Sequence, residues 1–65
     1  MPQQWAVDTA NRLKAARGEF QRRLDDLEAS GHDPENVFVS ATREIIKRID
    51  SALKDAAESY GINPD

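Results

Sequence analysis

The sequence predicts an all-α protein, two helices folded back on each other as an antiparallel hairpin. Three observations predict it. Apolar and small residues recur at steps of three and four in each half of the chain. Helix-boundary residues cluster between the halves, from Gly31 to Glu35. The composition, 32% charged and 6% aromatic, suits exposed helices or disorder, and the periodicity decides for helices.

In the first half the repeat runs Ala6, Ala10, Leu13, Phe20, Leu24, Leu27, with Arg17 in the one position that breaks it. This predicts a helix over about 3–29. Gly18 lies inside it and costs about 1 kcal/mol relative to alanine, or serves a close helix approach. Gly31 suits a left-handed helix end, and residues 30–33 form the expected turn. Asp33-Pro34-Glu35 then reads as a helix start. Asp33 is the expected N-cap, Pro34 fits the first helical position, and Glu35 lies where the helix dipole favours negative charge. The second helix is expected over about 34–60, with a later start near Ser40 as the alternative because Val37, Phe38 and Val39 are β-prone. Gly61, Asn63 and Pro64 end it. The 65 residues form one domain, with no internal repeat or linker.

A short turn makes the helices antiparallel neighbours. Residue i should lie opposite roughly residue 65 minus i, which pairs Leu27 with Phe38, Leu24 with Ala41, Phe20 with Ile45 and Trp5 with Tyr60. The expected seam of the second helix is Phe38, Ala41, Ile45, Ile49, Ala52 and Ala56. Ile46, Leu53, Ala57 and Tyr60 form a second stripe beside it. The first helix offers Lys14, Gln21 and Glu28 on one flank, and Thr9, Ala16 and Arg23 on the other. One hairpin therefore leaves part of the second helix's apolar surface uncovered. A chain this short is also marginal alone. Completion of a four-helix bundle, by dimerisation or by docking on another helical protein, is the expected remedy.

Several classes are set aside. Cysteine is absent and His32 is the only histidine, so no disulfide and no metal set of ordinary donors is expected. No Gly-rich phosphate loop or other cofactor motif is present. His32 has no base or orienting partner in the pattern, and Asp25 and Asp26 diverge around a helix, so the chain reads as non-enzymatic. No apolar run approaches a membrane span, and the N-terminus lacks the pattern of a signal peptide, which together give an expectation of a cytoplasmic protein. A net charge of −3 argues against a general nucleic-acid binder, although Arg12, Arg22, Arg23, Arg43, Lys47 and Arg48 leave room for a local basic face.

The candidate partner-contact residues are Ile46, Leu53, Ala57 and Tyr60 of the second stripe, together with Trp5 and Arg17. Trp5 either caps the open end of the hairpin against Tyr60 or anchors a partner. Arg17 either lays its aliphatic stem along the core or sets register by pairing with an acidic residue of another helix, such as Glu44. The remaining charges read as solvated faces with pairs four apart, among them Asp8–Arg12, Asp50–Lys54 and Lys54–Glu58.

Two resemblances accompany these residues. The length, the central turn and Tyr60-Gly61 resemble the Rop family of plasmid copy-number regulators. That likeness implies a hairpin that dimerises into a four-helix bundle and binds RNA. The stretch Gly31-His32-Asp33-Pro34-Glu35, with Leu13, Phe20, Leu24 and Leu27 before it, is similar to the small helical-hairpin co-chaperones of type III secretion needle subunits. That likeness implies a hairpin face that helps hold a secreted subunit through a second chaperone. The reading preferred from the residues is a small protein-binding module (an adaptor, inhibitor or chaperone), with a Rop-like regulator of RNA or DNA as the alternative.

Overall fold

A computed structural model describes residues 3–31, 33 and 35–62. Helix α1 spans Gln4–Ala29 and helix α2 spans Val37–Tyr60, and among the described residues there is no strand. The helices pack along their length into a rod measuring 45 × 15 × 15 Å. The all-α hairpin is thus as expected.

The ends follow from local chemistry. The amides of Ala6 and Val7 donate to the Gln3 carbonyl and start α1 without a side-chain cap. At its far end Gly31 takes φ +78°, and its amide donates to the Glu28 carbonyl. The left-handed turn suits glycine because no Cβ meets the following carbonyl. The start of α2 lies between the two expected positions. Asn36, not Asp33, is the N-cap, and its side-chain oxygen accepts from the Phe38 amide at 2.8 Å. Asp33 instead builds the turn. Its carboxylate accepts from the Glu35 amide and its carbonyl from the Asn36 amide, both at 2.8 Å. The expectations for His32, Pro34, Asn63 and Pro64 lie outside the described residues.

At the end of α2, Gly61 takes φ +66° and donates to the Ala57 carbonyl. The chain then lays Ile62 on the core, beside Ala6, Ala10, Ile49 and Leu53. A second buried cluster nearer the loop joins Leu24, Val39 and Ile46, with Phe20 bridging the two. Gly18 does not mediate a close approach, because a Cβ built there meets nothing within 4 Å.

The expected seam of α2 is corrected. Ile46 and Leu53, assigned to the uncovered stripe, are 8% and 5% exposed and lie between the helices. Phe38 and Ile45, assigned to the seam, are 71% and 37% exposed. The helix is turned about its axis relative to the expectation. The physical reason is bulk. Val39, Ile46 and Leu53 join Ile49 as large branched side chains between the helices, whereas the expected seam set Ile49 among Ala41, Ala52 and Ala56. Val39, read as β-prone boundary sequence, is the most completely buried side chain.

Candidate functional site: the apolar face of the hairpin

The rotation of α2 divides the rod into two unlike faces. Side chains three, four and seven apart on α1 put Trp5, Thr9, Ala16, Phe20, Arg23 and Leu27 along one side. Phe38, Ile45, Ala52 and Ser59 of α2 lie on the same side. Two shallow clefts mark it. The cleft at the loop end, about 410 Å³, is lined by Phe20, Arg23, Asp26, Leu27, Ser30, Phe38 and Thr42. The cleft at the open end, about 380 Å³, includes Trp5, Thr9, Leu13, Ala52, Ala56 and Tyr60. Leu27 and Phe20 are half-buried there, and Phe38 stands in solvent. By helical spacing Ala16 of α1 and Ile45 of α2 fall between the two clefts, on the same side of the rod.

The opposite face is charged. A groove of about 530 Å³ is lined there by Lys14, Arg17, Asp50, Leu53, Lys54, Ala57 and Glu58. Arg17 reaches across the seam to Asp50, with Nε donating to Oδ1 at 2.5 Å and Nη2 to Oδ2 at 3.4 Å. This fork fixes the arginine in register with α2. Of the two readings of Arg17, the cross-helix ion pair is the one seen, within one chain and with Asp50 in the place suggested for Glu44. The hydrogen bond first, and the nearby charge second, raise the Arg17 pKa above its ordinary value. Nearer the loop, Arg43 Nη2 donates to Glu28 Oε1 at 2.8 Å, again between helices. Asp50, expected to face Lys54 along its own helix, is taken by Arg17, and Asp8, expected to pair with Arg12, accepts from the Gln4 amide group.

The remaining candidate residues fall as follows. Trp5 and Tyr60 meet at the open end with ring centroids 5.2 Å apart and planes at 75°, an edge-to-face contact. Both rings stay substantially exposed, and the Trp5 indole N–H donates to the Gln3 side chain. They therefore close the hairpin and still present apolar edges. Ala57 is half-buried beside the charged groove. Ile46 and Leu53 are sealed inside the chain, so the proposed contact through them is withdrawn. Phe38 and Ile45 take their place, and they were visible in the sequence but misassigned to the seam. Ile62 was missed altogether, although an apolar residue directly after a helix-ending glycine often folds back on the last turn.

The basic residues do not gather on one side. Arg17 and Arg43 face acids across the seam, Arg48 lies 3.6 Å from Glu44, and the Arg23 guanidinium sits 5.3 Å from the Phe20 ring centroid. Among the described residues no group of histidine, cysteine, aspartate and glutamate is placed to hold a metal. No described helix is long and apolar enough to cross a membrane. No family model, curated protein or solved structure matches the chain.

Proposed function

We propose that this chain is a small protein-binding module whose working surface is the apolar face carrying Phe20, Leu27, Phe38 and Ile45. The observation that carries the reading is the exposure of Phe38 and Ile45, on the same side as the half-buried Phe20 and Leu27. Isolated apolar side chains on a surface are ordinary, but a contiguous strip along a small rod is a docking surface in the usual economy of soluble proteins. Its chemistry suits another amphipathic helix or helix pair, because the strip is straight, long and narrow. The mechanism is bundle completion. The partner covers Phe38 and Ile45, and the hairpin covers an equal area on the partner. The adaptor, inhibitor and chaperone roles share this step.

A photo-crosslinking residue placed at Ile45, and separately at exposed Lys54 on the charged face, tests this in the cells that make the protein. Protein adducts are expected from the Ile45 position and few from Lys54. Equal yields from the two positions, or none from Ile45, would overturn the assignment of the working face.

A further inference from the structure

We infer that the apolar face docks a second copy of this chain, and that the two hairpins lie with their loops at the same end. This rests on the reading of the apolar face as a docking surface and adds both occupant and orientation.

The charges bordering the face carry the inference. On the outer edge of α1 the exposed charged residues include Arg12, Glu19 and Arg23, spaced seven and four, and Asp26, which is level with the uncharged Ala41 of α2. On the outer edge of α2 they are Glu44, Arg48 and Asp55, spaced four and seven. Because the helices are antiparallel, Arg12 lies level with Asp55, Glu19 with Arg48, and Arg23 with Glu44. In each pair the two residue numbers add to the same total as Arg17 and Asp50, which the structure joins directly. The two edges thus carry opposite signs at three successive levels. Within one chain they stand on opposite sides of the apolar face, and Arg48 lies 3.6 Å from Glu44 along α2.

A two-fold axis along the rod brings α1 of one copy over α2 of the other, level with level. Arg12 then meets Asp55 of the second copy, Glu19 meets its Arg48, and Arg23 meets its Glu44, and symmetry repeats all three. Leu27 lies over Phe38 of the second copy and Phe20 over its Ile45, which covers Phe38 and Ile45. The other face-to-face arrangement, with loops at opposite ends, places α1 on α1 and α2 on α2. It directs Arg12 toward Arg23 of the second copy and Asp55 toward its Glu44, and it sets Glu19 and Arg48 near their own symmetry mates. Those contacts are between like charges; a slide of about 6 Å, four residues along the rod, instead brings Arg12 to Glu19 and Arg48 to Asp55 of the second copy but leaves Arg23 and Glu44 unmatched, so the same-end arrangement pairs more of the rim charges.

The chain has no cysteine, so Glu35→Cys at the exposed loop gives a single site for a spin label. Solution mass and the label-to-label distance are measured on the whole protein. The expected result is a dimer with labels separated by about the 15 Å width of the rod, apart from the reach of the label arms. A dimer with labels separated by nearly the 45 Å length overturns the orientation. A chain monomeric throughout the concentration range overturns the second copy as occupant. In that event the Ile45 crosslinks decide separately, since adducts to a different protein would leave the docking reading standing. A charge exchange tests the same point by another route. Arg12→Glu with Glu19→Arg and Arg23→Glu opposes like signs at every level and should weaken self-association at least about tenfold. Adding Glu44→Arg, Arg48→Glu and Asp55→Arg should restore it. Failure of the second set to rescue the first contradicts the pairing.

Discussion

Ile45 and Ile46 are adjacent in the chain and live in opposite surroundings. Ile46 packs with Leu24 and Val39 between the helices, while Ile45 faces outward on the apolar strip. Ile46→Ala removes buried methyl groups and should cost about 2–5 kcal/mol, a large part of what so small a chain possesses. Ile45→Ala should cost under about 1 kcal/mol in the dilute chain. Denaturant unfolding at low concentration measures both, and equal losses would contradict the assignment of the seam. The same pair shows what was legible beforehand. The sequence displayed two apolar stripes on α2, of which the structure buries the one expected to stay uncovered, Ile46 and Leu53. It did not display which stripe turns inward, because each has helical spacing and the two lie side by side on one helix. Bulk settles that choice, through Val39 and Leu53, and bulk has its effect only once α1 is present to be packed against. Arg17 was half legible for a similar reason. Its break in the apolar repeat left two readings, a stem along the core or an acidic partner on another helix such as Glu44, and the rotation of α2 brings Asp50 within reach instead. The Arg17 pKa is raised, so its contribution is present below its ordinary value and lost only as pH rises through the raised one. Titration through neutral pH therefore leaves the arginine side of this link charged.

Each helix owes its limits to a few residues whose chemistry can be read without its partner. Gly31 and Gly61 both take the left-handed conformation that ends a helix, as their positions suggested. The start of α2 was less legible, since Asp33, Asn36 and Ser40 are all good caps and the chain uses the middle one. Asp33 is not idle, because its carboxylate ties down the Glu35 amide and so shapes the turn that delivers Asn36. Replacing Asn36 with alanine should lower stability by about 1 kcal/mol, as for other lost N-caps, through the orphaned Phe38 amide. Asn36→Asp, which keeps an acceptor, should restore most of it. Thermal unfolding followed by circular dichroism reads both variants. A loss unchanged by the aspartate would point away from capping and toward the turn.

At the scale of the whole molecule, a rod two helices thick has no residue far from solvent. Its buried side chains fall into two clusters along one seam, and among its described residues no polar side-chain atom is buried without a hydrogen bond. One side of that seam is crossed by Arg17–Asp50 and Arg43–Glu28, and is finished as a polar surface. The other side holds clefts beside Phe38 and Tyr60, lined by more apolar side chains than the groove on the charged side. The stripe expected to need outside cover, Ile46 and Leu53, is covered within one chain, and among the described residues the large apolar ones left exposed are Trp5, Val37, Phe38, Ile45 and Tyr60. Completion by a second copy makes stability depend on protein concentration, because association stabilises only the folded form.

The unfolding midpoint measured across a hundredfold range of protein concentration is therefore the most direct measurement. The account predicts a low midpoint at dilution that climbs with concentration, and a flat response in Ile45→Glu, whose charge sits on the apolar strip outside the seam. A midpoint high and constant over the whole range, with Ile45→Glu indistinguishable from the parent, would mean that a single hairpin needs no cover.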